Sequence, residues 1–233
     1  MSRKRIVVLT GAGISAESGI STFRDANGLW ENHRIEDVAS PVGFAKDPET
    51  VLRFYNLRRS QLGEVEPNEG HRALVRLEEK YDVYVVTQNV DNLHERAGSK
   101  NILHLHGELT KVRSTQYPDL IYDVGVKPIK LGDLCERGAQ LRPHIVWFGE
   151  EVPAMYEAAE LAEMADYFLI VGTSLLVYPA AGLYEYTPGR CPIYLVDKSV
   201  PSVPSRYRNR LRVFAEAATT GVPKVVDELL ALA

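Results

Sequence analysis

The chain has 233 residues, and 27 basic against 31 acidic side chains leave a net charge of −4 with 45% hydrophobic residues. That length fits one large domain, or a main domain with a small insertion, and the composition excludes a disordered chain. The acidic balance argues against a general nucleic-acid binder, and the two cysteines, Cys135 and Cys191, make neither a disulfide framework nor a closed metal site.

In chain order, Arg3 to Arg5 precede an apolar run at 6–9 that is too short for a signal peptide, so a reducing, cytoplasmic setting is expected. Residues 6–10 form the first of four short apolar runs; the others are 83–87, 168–173 and 193–197. Their unbroken apolar character predicts strands buried on both faces of a parallel sheet. Residues 29–67, rich in Arg, Glu and aromatic side chains, predict helices and loops inserted after the first strand–helix unit. Helical spacing follows at His71, Ala73, Leu74, Leu77 and Glu78. Residues 112–140 mix Pro118, Gly125, Pro128 and Gly132 with little periodicity. The longest apolar stretch, 167–184, is broken by Gly172, Pro179 and Gly182, which reads as strand, turn and helix start, with no membrane span. Val222, Val225, Val226, Leu229 and Leu230 again have helical spacing.

This alternation predicts an α/β fold: a doubly wound parallel-sheet, Rossmann-like domain over 1–30, 68–111 and 141–233, with ligands at the carboxyl ends of the strands. Residues 31–67 and 112–140 are expected to form a small inserted second domain.

Thr10-Gly11-Ala12-Gly13-Ile14-Ser15-Ala16 follows the first predicted strand and matches the glycine-rich dinucleotide turn. Glycines there let backbone N–H groups and a helix N-terminus approach a pyrophosphate, although a tight structural turn has the same look. Asp197 closes a later predicted strand, where its carboxylate is available to ribose hydroxyls. Gln88, Asn89 and Asp91 follow residues 83–87, and Gly172-Thr173-Ser174 follow the run from Phe168; both are also ordinary corner chemistry. His94, His104 and His106 lie close together, and each is suited to a structural or an acid–base role. Tyr55 and Arg58 stand three apart on a predicted helix and share a face, while Arg53, Arg58 and Arg59 read equally as a solvated charged face.

The run from Gly11 to Ile20 followed by Phe23-Arg24-Asp25, then Thr87 to Asp91, His106-Gly107-Glu108-Leu109, Arg142 to Glu150, and Gly172-Thr173-Ser174, resembles the sirtuin family of NAD-dependent protein lysine deacylases. The likeness extends from Ile6 to about Leu230 and is nearest the bacterial-type class III branch, the desuccinylases and demalonylases. It implies that NAD is consumed as a co-substrate and that acylated lysine side chains of proteins are the partners, with no specific nucleic acid and no membrane. The products would be nicotinamide, O-acyl-ADP-ribose and free lysine. His106 becomes the general base. Gly11, Ala12, Gly13, Ile14, Ser15, Glu17, Phe23, Arg24, Trp30, Gln88, Asn89, Asp91, Gly172, Thr173, Ser174, Asp197 and Ala218 become the cofactor site, with Ile14, Phe23, Asn89 and Asp91 at the nicotinamide. Val146, Phe148, Gly149 and Glu150 become the strand and loop that pair with a substrate peptide. Tyr55 and Arg58 become the readers of a distal carboxylate on the acyl chain, since a guanidinium fork beside a phenol binds that group by charge-assisted hydrogen bonds. A protein mono-ADP-ribosyltransferase and a non-catalytic NAD-binding module are the alternatives, and the oligomeric state is open, with a monomer compatible.

Relatives in this family hold a structural zinc with two cysteine pairs. Here Ser114, Tyr117, Cys135 and Gly138 stand near those positions. One thiolate makes no tetrahedral site, so no zinc or other metal is expected. Packing of Tyr117, Leu120, Ile121, Tyr122 and Leu134 is expected to hold the segment instead.

Overall fold

A computed structural model describes residues 3–21 and 33–233, together with the backbone of 29–30. The chain opens with β1 (Arg5–Thr10), α1 (Ala12–Ser15), the two-residue strands β2 (Leu29–Trp30) and β3 (His33–Arg34), then α2 (Ile35–Val38), α3 (Pro41–Lys46), α4 (Pro48–Gln61) and α5 (Glu69–Leu77). It continues with β4 (Asp82–Thr87), α6 (Leu93–Ala97), β5 (Ile102–His104), β6 (Gly107–Ser114), β7 (Ile121–Asp123) and β8 (Leu141–Ile145). The last part contains α7 (Met155–Glu163), β9 (Tyr167–Val171), β10 (Ile193–Val196), β11 (Leu211–Phe214) and α8 (Ala218–Ala231).

Six parallel strands form one sheet in the order β11-β10-β9-β1-β4-β5. Counted along the chain within the sheet, this is the 3-2-1-4-5-6 order of dinucleotide-binding folds, and its direction of winding reverses between β1 and β9. Successive residues of each strand feed opposite faces. Val7, Leu9, Phe168, Ile170, Ile193 and Leu195 pack on α7 and on the short turn of helix at Ala180–Tyr186. Ile6, Val8, Leu169, Val171, Tyr194 and Val196 pack on Leu74 and Leu77 of α5 and on Val222, Val225 and Leu229 of α8. Burial on both faces accounts for the unbroken apolar runs, and it makes the sheet doubly wound as expected from them.

The strands also end flush. Phe214, Val196, Val171, Thr10, Thr87 and His104, the last residues of the six strands, form one continuous register row. Two of these strands, β5 and β11, were not expected from the apolar runs. They are short edge strands whose residues are only partly buried or exposed, so burial did not select apolar side chains there.

A second sheet, β7-β6-β8, is antiparallel and crosses the expected boundaries at 111/112 and 140/141, since β6 begins at Gly107 and β8 ends at Ile145. Helix α4 packs against it. Its N-terminus is fixed by Asp47, whose carboxylate accepts the Thr50 N–H at 3.0 Å, with Pro48 in the first turn. The expected packing of the 112–140 segment needs correction, because Ile121 and Leu134 are exposed. Val112 and Ile129 pack on Leu52 of α4 instead, flanked by Tyr122, Val124 and Leu141. Polar bonds complete the clamp. Asn56 holds Ile129 through both its carbonyl oxygen (2.6 Å) and its N–H (3.0 Å). The Gln140 amide accepts from Gly132 N at 2.7 Å and donates to Lys130, Asp133 and Leu141 carbonyls at 2.9–3.1 Å. Cys135 and Ser114 meet at 3.4 Å between Sγ and Oγ, and Ser114 Oγ also accepts the Gln116 and Tyr117 N–H groups. This donor set has one thiol and does not fit a tetrahedral zinc. Among the described residues, no helix is long and apolar enough to cross a membrane.

Candidate functional site

A cleft of about 670 Å³ lies where the winding reverses, above the carboxyl ends of the sheet and below the antiparallel sheet. Its floor is the turn after β1. Gly11 N–H donates to Val171 O at 3.0 Å and Gly13 N–H to Gly172 O at 2.8 Å, so the two strand-end turns touch backbone to backbone. A Cβ on Gly13 would fall 2.6 Å from Gly172 Cα, and Gly172 itself has φ +62°. This contact, together with the start of α1, is the cradle a pyrophosphate needs.

Among the residues expected from the sequence, Gly11, Ala12, Gly13, Ser15, Glu17, Gln88, Asn89, Asp91, His106, Gly172, Thr173, Ser174, Asp197 and Ala218 all line this one cleft. So do Tyr55, Arg58, Val146, Phe148, Gly149 and Glu150. Ile14 does not: it is fully buried in the core against the inner face of α8, and Ile20, six residues on, lines the cleft in its place. The helical turn after Gly11 points Ile14 down into the sheet, which its place in an apolar motif could not reveal. Phe23, Arg24 and the side chain of Trp30 lie outside the described residues. Lys198, Ser199, Glu216 and Tyr178 also line the cleft and carry no motif that would have singled them out.

The polar groups on the floor form a connected network. Ser15 Oγ donates to Asp91 Oδ2 at 3.0 Å and accepts from Asn89 Nδ2 at 3.1 Å, and Asn89 Nδ2 also reaches Gly11 O at 3.1 Å. Burial pushes the Asp91 carboxyl pKa upward, against the opposing bonds from Leu93 N–H and Ser15. Behind them, burial lowers His71 to about 4, and its Nε2 lies 3.5 Å from Ser15 Oγ. His94 is likewise held well below its ordinary value by burial, with Nε2 3.1 Å from Thr10 Oγ1. These two imidazoles are neutral structural groups.

His104 and His106 grip successive carbonyls of the loop after β4. His106 Nδ1 lies 3.0 Å from Gln88 O and His104 Nδ1 3.1 Å from Asn89 O. A carbonyl only accepts, so Nδ1 carries the proton in both, which leaves Nε2 of neutral His106 as a lone pair. Burial lowers the His106 pKa, with the Gln88 bond opposing, so the base form prevails near neutral pH. His104 differs: burial would lower it, but Glu95, 2.6 Å from its Nε2, raises it overall. Glu95, His104 and Glu108 bring their ligand atoms within 4.8 Å of one another. The His104–Glu95 pair and Lys111 on Glu108 at 2.8 Å account for that cluster as ion pairs.

Acidic groups line the side of the cleft above β10. Asp197 follows that strand, and its Oδ1 accepts Ser199 N–H at 2.7 Å. Burial opposes ionisation of Glu17, but the Thr219 hydroxyl at 2.7 Å and N–H, together with Lys198, outweigh it and lower its pKa. Carboxylates at this end suit ribose hydroxyls and disfavour an additional phosphate. The glycine cradle, the cleft at the switch point and these carboxylates therefore fit a dinucleotide with an unphosphorylated ribose.

In the opposite wall, α4 divides its arginines. Arg53 is exposed, Arg59 is fully buried with Nε on Leu109 O at 2.7 Å, and Arg58 is buried in the cleft wall beside Tyr55. Residues 146–147 continue past β8 without regular structure into a turn at 148–149, with Val146 N–H on His106 O and Phe148 N–H on Ala39 O, both at 2.9 Å. The Glu150 carboxylate is turned inward. It accepts two bonds from Arg142 (2.7 and 3.0 Å), one from Arg113 (3.2 Å) and one from Trp147 N–H (2.8 Å), so it braces the loop.

Comparison with known proteins agrees with this geometry. The Sir2 family model matches residues 11–179. An NAD-dependent protein deacylase of Bacteroides thetaiotaomicron is 53% identical over 233 residues, spanning 97% of this chain and 98% of its own length. A solved point mutant of a Sir2 homologue in complex with ADP ribose superposes with a TM-score of 0.88 at 36% identity, covering 99% of this chain and 95% of that one. A Sir2 homologue–NAD complex gives 0.86 at 37% identity, over 99% and 91%.

Proposed function

The chain belongs to the Sir2 family and is an NAD-dependent protein lysine deacylase, and from that premise we propose that its preferred substrates carry acidic acyl groups, succinyl and malonyl foremost. The observation behind this reading is the pair Tyr55 and Arg58, one turn apart on α4 and both buried in the wall of the cleft that contains His106. A guanidinium withdrawn from water in such a wall is stabilised by a carboxylate placed against it, and an acetyl group offers none.

NAD supplies an electrophilic ribose carbon once nicotinamide departs. The roles assigned to this chain's residues are supported by where they line the cleft. Gly11, Ala12, Gly13 and the Gly172-Thr173-Ser174 turn receive the pyrophosphate; Asp197 and Glu17 receive the adenine-side ribose, with Ala218 at the adenine end. Asn89 and Asp91, fixed by Ser15, orient the carboxamide of nicotinamide, with Ile20 as the apolar wall. Gln88 stands between that group and Thr173, to which it donates at 3.1 Å. His106 Nε2 accepts a proton from the nicotinamide-side ribose, since its other nitrogen is committed to Gln88 O. With the Val146 and Phe148 N–H groups turned inward to His106 O and Ala39 O, the carbonyls of these residues and the Gly149 backbone are what the loop offers to a substrate peptide, which gives affinity without demanding a particular sequence and suits a protein-lysine substrate in the cytoplasm.

The test is mass spectrometry of one peptide bearing acetyl- or succinyl-lysine, with and without NAD, for wild type and Arg58→Met. A charge-assisted hydrogen bond of about 1.5–3 kcal/mol corresponds to a roughly ten- to hundredfold fall in desuccinylation, with deacetylation little changed. Acetyl removed as well as succinyl by wild type would overturn the acidic-acyl reading. A protein product gaining the mass of ADP-ribose would favour the transferase.

A further inference from the structure

Resting on the acyl-group reading above, we propose that Trp147 is a specificity-determining positioning residue, which acts on the acyl chain through Tyr55. Its indole Nε1–H donates to the Tyr55 hydroxyl at 2.9 Å, and both side chains are almost fully buried. An indole N–H is donor only, so the Tyr55 oxygen is the acceptor in this bond. The single phenolic proton is thereby directed away from Trp147, and the Tyr55 hydroxyl acts towards an acyl carboxylate as a donor. Burial drives the Tyr55 pKa upward, which keeps that proton in place across the working pH range.

Trp147 is itself held with little freedom. The Arg142 guanidinium lies 3.4 Å from its ring centroid, and that guanidinium is doubly bonded to Glu150. The same Glu150 carboxylate accepts the Trp147 backbone N–H at 2.8 Å, and the Phe44 ring packs tilted against the indole with centroids 5.3 Å apart. Side chain and backbone are fixed by one ion pair, so the N–H donor has one place to point. The loop that presents backbone to the peptide and the helix that reads the acyl tail are thus joined by a buried hydrogen bond. Acetyl-lysine gains nothing from it, because it has no carboxylate to receive the Tyr55 proton.

The experiment compares kcat/KM for succinyl- and acetyl-lysine peptides in wild type, Arg58→Met, Trp147→Phe, Tyr55→Phe and the Trp147→Phe/Tyr55→Phe double variant. Phe keeps an aromatic ring under Arg142 and removes the donor. Trp147→Phe is expected to lower desuccinylation several-fold to about tenfold with deacetylation altered less than about twofold. In the Tyr55→Phe background the same change should add nothing, because the residue through which it acts is already gone. Site-specific replacement of Trp147 by benzothienylalanine, which preserves the bicyclic shape without the N–H, should give the same selective loss as Trp147→Phe; wild-type behaviour of that variant would assign the Trp147→Phe loss to the smaller ring and overturn the inference. Independent, multiplicative losses in the cycle, or equal losses on both acyl groups, would overturn the inference. A succinyl preference that Arg58→Met abolishes and both Trp147 replacements leave intact would overturn it while leaving the acyl reading standing. A wild type without succinyl preference would overturn both.

Discussion

The contact between Gly13 and Gly172 makes a quantitative prediction for Gly172→Ala. At φ +62° an alanine pays left-handed strain of roughly 1–2 kcal/mol. Its Cβ would also sit 2.4 Å from Ile14 N and 2.6 Å from Gly13 C, and these are backbone atoms of the cradle with no flexible end to yield. Overpacking of this kind costs about 1–3 kcal/mol, so the total is about 2–5 kcal/mol. For a chain of this size that amounts to a Tm lower by roughly 4–20 °C. Gly125→Ala is the internal control: its φ is +56°, but nothing lies within 4 Å of the added carbon, so only the strain remains. Thermal unfolding of both variants, followed by circular dichroism, separates strain from collision. NAD titration of Gly172→Ala should in addition show weakened binding, because the cradle must open to admit the methyl. The reasoning fails if the two variants melt within about 2 °C of each other.

Three other outcomes are expected. Because burial lowers the His106 pKa, the acid limb of kcat/KM in a pH–rate series should fall below the ordinary histidine value of about 6.5, with activity lost as pH drops through it; a limb above pH 7 would contradict the assignment. For the His104–Glu95 pair the sign is the reverse. A raised histidine value contributes stability that is fully present below about pH 6.5 and is lost as pH rises through the folded value, while the lowered Glu95 value sets the acid edge. Chemical denaturation of wild type and Glu95→Gln should therefore differ most near pH 5–6 and converge towards pH 9, and a difference that grows with pH would refute the pairing. Gln140→Ala, which removes four hydrogen bonds, should lower stability by about 1–3 kcal/mol in urea titration, whereas EDTA should leave the wild-type midpoint unchanged; sensitivity to the chelator would show that a metal helps hold the 112–140 segment.

The parallel sheet was legible because burial on both faces writes unbroken apolar runs into β1, β4, β9 and β10, whereas the half-exposed β5 and β11 carry no such mark. The antiparallel sheet was hidden for another reason. In β6, Gly107 and Leu109 face inward, but the register shifts between Glu108 and Val112, so the alternation changes phase partway along and no period of two survives. Most of the cleft was readable because its polar residues follow strand ends in recognisable motifs. Ile14 and Ile20 were not distinguishable, since both lie in the same motif and only the direction of the α1 turn sends one to the core and the other to the cleft. Glu150 sits in the motif expected to pair with a substrate peptide, yet its carboxylate serves Arg142, Arg113 and Trp147, a network of partners no spacing could announce.

The flush register row gives the sheet the character of a ruler. Its graduations are strands about 4.8 Å apart, so the five strand ends from β10 to β5 span roughly 19 Å across the sheet. Asp197, Gly172, Gly11 and Gln88 each stand one residue past their own mark, and His106 two past its own. A ligand stretched along that edge meets the groups one strand at a time. Sliding any strand by a single residue would move its group about 3.3 Å out of line and turn it to the other face. Alignment of the site is therefore a property of the hydrophobic core as much as of the turns that carry its residues.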